Sequence, residues 1–192
     1  MNTSADLLII GLGYVGLPLA REAVSTGLSV IGYDHSERVV SGLNAGRSHV
    51  DDISDADVAD MLAGGFRATS DEASLGRPET AVICVPTPLS PDGGPDLGAV
   101  RQATEVAARL LHREMLVVLE STTYPGTTDE VVRPILEEIS GLTAGEGWSA
   151  GTPWTAPWPP RASMARFATR SWRPGPCARP RWRNCWRTPT GT

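Results

Sequence analysis

Three glycines and one aspartate are the residues of this sequence best suited to chemistry on a ligand. Gly11, Gly13 and Gly16 stand in the spacing G-x-G-x-x-G after the apolar run Leu7–Ile10, and Asp34 follows 18 positions after Gly16 at the end of a second apolar run. Gly11 permits a tight turn out of a strand. Gly13 lets the backbone approach a pyrophosphate because it has no Cβ, and Gly16 lets the next helix pack close to the sheet. That helix points its positive N-terminus at the phosphates. A carboxylate at Asp34 would accept hydrogen bonds from the adenosine ribose and repel a 2′-phosphate, which favours NAD over NADP. Arg38 has two readings, an arginine that accommodates such a phosphate or a solvated helix residue.

Hydroxyl groups gather in two further loops, each after an apolar run. Residues 80–85 lead into Val85-Pro86-Thr87-Pro88-Leu89, where prolines stiffen the chain and Thr87 is the polar side chain nearest the expected crevice. Residues 115–119 lead into Glu120-Ser121-Thr122-Thr123-Tyr124-Pro125-Gly126, which then opens a helix with unpaired N–H groups. From spacing alone, N-capping and turn chemistry account for both loops as well as a ligand does. His35, His49 and His112 have no metal-ligand spacing and read as surface residues, and Cys84 reads as a small core residue within a strand. No metal site or disulfide framework is expected.

The elements that must position these residues alternate. Residues 7–11, 29–34, 66–69, 80–85 and 115–119 read as strands. Helical patterns fall at 15–26, 36–45, 54–64 (with Ser54 as N-cap), from Asp96 to about 113, and at 127–139. Strands separated by helices predict an α/β fold, a doubly wound parallel sheet of Rossmann type. Ligands then bind at the carboxyl ends of the strands.

The composition breaks in two. All 22 acidic residues lie at or before Glu146, whereas all six tryptophans and eight of the 16 prolines lie after it, together with eight arginines. Residues 1–146 therefore read as an acidic domain, and 147–192 as an irregular Pro/Arg/Trp-rich tail without helical or strand period. The chain has no lysine, and the tail is rich in residues with GC-rich codons. Read from the third base of each codon, residues 179–192 can spell an amphipathic string free of glycine and proline. The expectation is an out-of-frame, disordered tail and a sheet without its sixth strand.

The motifs G-L-G-Y-V-G-L-P-L-A at 11–20, G-Y-D at 32–34, L-N-A-G at 43–46, V-P-T-P-L at 85–89, P-D-L at 95–97 and E-S-T-T-Y-P-G-T-T at 120–128 resemble the UDP-glucose/GDP-mannose dehydrogenase family. They look most like the bacterial members acting on UDP-N-acetylhexosamines. The resemblance covers residues 6–142 and implies an NAD domain of an enzyme that oxidises the C6 alcohol of a UDP-sugar to a carboxylate through a cysteine nucleophile. It implies NAD contacts from Gly11, Gly13, Tyr14, Val15, Gly16, Asp34, Arg38, Pro86, Thr87, Ser121 and Thr122. Thr122 would lie by the nicotinamide, orienting a catalytic water. The family's Ser-Pro-Glu motif, lysine- and asparagine-bearing helix, sugar domain and cysteine motif have no counterpart in this reading frame. Because family members form homodimers through that helix, the dimer helix is expected to be missing as well, and the chain to be catalytically incomplete.

A second reading is a stand-alone NAD-binding regulatory module whose basic tail binds a partner. Neither a nucleic-acid partner nor a membrane partner is expected. The apolar runs are too short for a signal peptide or a membrane span, so a cytoplasmic location is expected.

Overall fold

The structure is a computed structural model that describes residues 5–91, 93–145 and 148–151. Five strands fall where the apolar runs predict them: β1 Leu7–Ile10, β2 Val30–Tyr33, β3 Arg67–Thr69, β4 Thr80–Ile83 and β5 Leu116–Leu119. Helices α1 Gly16–Ser25, α2 Glu37–Asn44, α3 Asp55–Ala63, α4 Gly98–Leu110 and α5 Arg133–Ser140 run between and after them. A further strand, β6 Ser149–Gly151, pairs with β5. All pairings are parallel, in the order β3-β2-β1-β4-β5-β6. The order reverses between β1 and β4, so the loops leaving these strands diverge and open a crevice at their carboxyl ends.

Both faces of the sheet are covered, which is why the strands read as unbroken apolar runs. Side chains alternate between two cores. Leu7, Ile9, Val30, Val82, Leu116 and Val118 face the side of α1, α2 and α3. Leu8, Ile10, Ile31, Ile83, Val117 and Leu119 face α4 and α5. A one-residue slip of any strand would exchange these sets between two differently shaped cores, so the fit of the side chains fixes the register.

β6 corrects the expectation that the sheet has no sixth strand. Its residues belong to the segment read as an irregular tail, and Ser-Ala-Gly offers no apolar alternation from which a strand can be read. The anchor is Trp148, whose ring is 2% exposed within the α4–α5 core. Its Nε1–H donates to the Leu142 carbonyl (3.4 Å) and its own carbonyl accepts from Gly145 N–H (2.9 Å). Residue 147 and residues 152–192, on which the rest of the expected tail falls, lie outside the described residues.

Two helices depart from their expected form. Asp96, where the α4 pattern is expected to begin, lies outside the helix. Its Oδ1 accepts from Gly98 N–H (2.8 Å), the helix starts at Gly98 without a side-chain cap, and it ends at Leu110. The 127–139 helix opens as a π-turn, Thr128–Val132, before α5. Pro134 explains the widening: it cannot donate to the Glu130 carbonyl, and its ring would collide with that carbonyl in a regular α-turn. By contrast α3 begins as predicted, with Ser54 Oγ accepting from Asp57 N–H and the Asp57 carboxylate accepting from Ser54 N–H.

The rim at the amino ends of the strands is closed. Asp6 Oδ2 accepts from both the N–H and the hydroxyl of Ser29 (2.8 and 2.7 Å), and His112 Nε2 bonds the Pro78 carbonyl (2.9 Å). His112 is thus a bridge between segments and not the free surface residue that its isolation in sequence suggests.

Candidate functional site

At the opposite rim the three glycines of the first loop face different surroundings. Gly11 has φ +96°, and a Cβ there would lie 2.7 Å from the Cys84 carbonyl oxygen. A Cβ on Gly16 would collide with the Gly11 carbonyl oxygen. These two glycines are required by the packing of the turn and helix themselves. Gly13 is different: a Cβ there would meet no heavy atom within 4 Å. The protein leaves that space open, with room for a ligand to come close to the backbone.

α1 starts directly behind this space, and its N-cap, Val15, makes no side-chain capping bond. The first N–H groups of the helix therefore keep no partner from a side chain, and they carry the positive end of the helix dipole. Tyr14 and Val15 are 65% and 53% exposed, unusual for large apolar side chains beside a sealed core. An uncapped N-terminus, open space and exposed apolar residues together make a cradle for an anion with a flat organic neighbour.

Asp34 lies at the end of β2 with its side chain 13% exposed. Its Oδ2 accepts from Leu12 N–H (3.0 Å) and its Oδ1 from Ser36 N–H (2.9 Å). Each oxygen retains a second lone pair, and His35 Nδ1 lies 3.6 Å from Oδ1. The carboxylate therefore has a structural task that its position in the sequence does not reveal: it holds the glycine loop against α2. Arg38 is exposed in the first turn of α2, and its guanidinium bonds none of the described residues.

The loops after β4 and β5 are clasped together. Thr87 Oγ1 donates to the Thr122 carbonyl (2.5 Å), and Ser121 Oγ donates to the Val85 carbonyl (2.7 Å). Pro86 is exposed between these contacts. The two loops read as separate hydroxyl-bearing motifs are thus one built edge of the crevice. Residues 119–128 line an open cleft of about 460 Å³. Below it, Thr127 is buried and donates to the Tyr124 carbonyl (2.8 Å). Glu120 stands at the mouth of β5, and partial burial raises its carboxyl above the usual range. Cys84, on the neighbouring strand end, is pushed up to about 12 by burial first and by the Glu120 carboxylate second. Its thiol stays protonated and enclosed, which fits a packing role.

Sequence reasoning missed His49. It lies between α2 and α3, and its Nε2 is 2.8 Å from the Leu12 carbonyl oxygen. No spacing signal marks it, because the contact spans 37 residues and uses a backbone atom. Among the described residues no group of three His, Cys, Asp or Glu side chains could hold a metal ion.

Residues 5–149 match the family model described as UDP-glucose/GDP-mannose dehydrogenase family, NAD binding domain. The chain belongs to this dehydrogenase family. As a member it carries the family's NAD-binding domain, and the open space over Gly13 with the uncapped start of α1 fits that cofactor. It is 37% identical over 141 residues to the UDP-N-acetyl-D-mannosamine dehydrogenase of Pyrococcus horikoshii, a match that covers 72% of this chain and 33% of that protein. The UDP-N-acetyl-D-glucosamine 6-dehydrogenase of Pseudomonas aeruginosa is 35% identical over 144 residues, covering 74% and 33%. Among solved structures, that of the P. horikoshii UDP-D-ManNAc dehydrogenase superposes with a TM-score of 0.72 at 34% identity, covering 78% of this chain and 35% of the other. A ternary complex of GDP-mannose dehydrogenase from Pseudomonas aeruginosa superposes with a TM-score of 0.70 at 32% identity, covering 77% and 35%. The chain spans about a third of the length of these family members. No described helix is long and apolar enough to cross a membrane.

Proposed function

We propose that this domain binds NAD in the crevice between the β1 and β4 loops, for use in the oxidation of the C6 alcohol of a UDP-N-acetylhexosamine. The observation that carries the reading is the contrast among the three glycines of the first loop: Gly11 and Gly16 are demanded by packing, whereas Gly13 opens onto empty space at the start of α1. The backbone N–H groups of Tyr14 and Val15 would hold the diphosphate, and Asp34 would take the adenosine ribose hydroxyls with its remaining lone pairs. Pro86 and Thr87 would lie along the adenosine side, with Arg38 on the outer edge of the same half. Ser121 and Thr122 would border the nicotinamide, where Thr122 would orient a catalytic water. Bound NAD supplies the hydride acceptor.

The substrate and the product uronate are proposed from the relatives' names, which are those of UDP-sugar dehydrogenases. So is a cytoplasmic setting, where NAD and nucleotide sugars are both at hand. NAD and the UDP-sugar are the small-molecule partners of this reading, without nucleic acid or membrane. Homodimerisation is not part of this reading, because the helix through which the family resemblance implies it has no counterpart in this sequence. The described residues contain one cysteine, Cys84, which is buried and protonated, so they supply no thiolate nucleophile.

Calorimetric titration tests the reading directly. NAD should give saturable heat with the folded chain, and NADP should bind at least about tenfold more weakly because Asp34 repels the 2′-phosphate. Absorbance at 340 nm should not rise when the 192-residue chain is mixed with NAD and UDP-N-acetylglucosamine. Folded protein that gives no heat with NAD would sink the binding reading, and NADH formation would sink the view that this chain alone is inactive.

A further inference from the structure

The Leu12 peptide is held on every side. Its N–H donates to Asp34 Oδ2 (3.0 Å). Its side chain is fully buried, packed so close to Gly32 that a Cβ there would come within 2.6 Å of a Leu12 methyl carbon. Its carbonyl oxygen meets His49 Nε2 at 2.8 Å. A carbonyl can only accept, so Nε2 carries the proton and donates.

The consequence lies one residue further on. The Leu12 carbonyl and the Gly13 N–H belong to one planar trans peptide, in which they point in opposite directions. A hydrogen bond that draws the carbonyl toward His49 therefore turns the Gly13 N–H the other way. Glycine's wide choice of φ and ψ would otherwise leave that peptide plane free to rotate, since Gly13 has no Cβ and the place where one would sit has no heavy atom within 4 Å.

His49 is itself well placed to act as a brace. Ser48 N–H donates to Asp55 Oδ1 (2.7 Å), Ser48 Oγ bonds the Val50 carbonyl (3.0 Å), and Val50 is buried in the core. The residues on both sides of the imidazole are thus fixed, and the segment leads straight into the capped start of α3.

We propose that His49 is a positioning residue for cofactor binding, which sets the peptide plane between Leu12 and Gly13 and so preorganises the diphosphate cradle. The inference rests on the NAD-binding reading for its effect on affinity. Its structural half, the hold on the peptide plane, stands apart from any ligand.

The test compares His49→Ala, His49→Asn and His49→Gln with the wild-type chain by calorimetric titration with NAD, and by amide NMR of the ligand-free proteins. Gln reaches as far as Nε2 and can donate, whereas Asn stops short. One lost hydrogen bond predicts roughly three- to tenfold weaker NAD binding for Ala and Asn, with Gln within about twofold of wild type. The Gly13 and Tyr14 amide resonances should shift or broaden in Ala and Asn and stay near wild type in Gln. Unchanged affinity and unchanged Gly13 resonance in His49→Ala would overturn the proposal, as would a Gln variant as weak as Ala. A wild-type chain that gives no heat with NAD would sink the functional reading instead, and the Gly13 resonance would then decide the role of His49 alone.

Discussion

Gly13 and Gly16 sit three residues apart in one loop, yet substituting each should do opposite things. Gly16→Ala drives a methyl group into the Gly11 carbonyl and should cost about 3 kcal/mol or more in chemical denaturation. Gly13→Ala meets nothing in the protein and does not sit at positive φ, so its denaturation midpoint should stay near wild type. Its NAD affinity should fall at least about tenfold, because the added methyl occupies ligand space. Cys84 permits a second check at this scale. Burial, and the Glu120 carboxylate after it, push its thiol up from the ordinary 9.0 to about 12 in the folded chain. The unfolded state therefore loses its proton first as pH rises, and the stability tied to the buried neutral thiol, full below pH 9, is lost between 9 and about 12. Cys84→Ala should show a shallower loss of stability across that window. With Cys177 and Cys185 changed to serine, a thiol reagent should label Cys84 only as fast as the protein unfolds. The glycine spacing and Asp34 were legible in the sequence because the loop's requirements are local. The second task of Asp34, and the contact of His49 with Leu12, were not, because each depends on a fold that brings distant residues to one backbone atom.

Among the elements, the short β6 strand carries the most exposed prediction. Trp148 fills the α4–α5 core just before it, and Trp148→Ala should destabilise the domain by about 3–5 kcal/mol. Urea denaturation followed by far-UV circular dichroism would measure this, since the signal does not depend on the tryptophans beyond residue 151. The larger strands and helices could be read from periodicity because burial on both faces gives strands an unbroken apolar run and helices a one-sided stripe. β6 could not, since three small residues have no period and their pairing is secured by the tryptophan before them. The π-turn ahead of α5 was hidden for a similar reason: Pro134 permits a kink or a break as well as a widened turn, and packing of Val131 and Val132 into the core selects the last.

The described part of the molecule joins an open crevice to a core sealed on both faces of the sheet. Ligand should therefore stabilise it by mass action: NAD at about 100 times its Kd should add about 2.7 kcal/mol. Thermal shift assays can divide this effect. If the glycine loop and Asp34 hold the adenosine diphosphate half as proposed, ADP-ribose should reproduce most of it and nicotinamide mononucleotide should give little. The closed rim has a practical meaning as well. Asp6–Ser29 and His112–Pro78 lock the amino ends of the strands, and the turn at Thr26–Gly27 leaves α1 at that same end. A probe or resin attached at the exposed Ser25, at the end of α1, would thus point away from the proposed cofactor crevice, and an immobilised chain would meet its ligand from free solution.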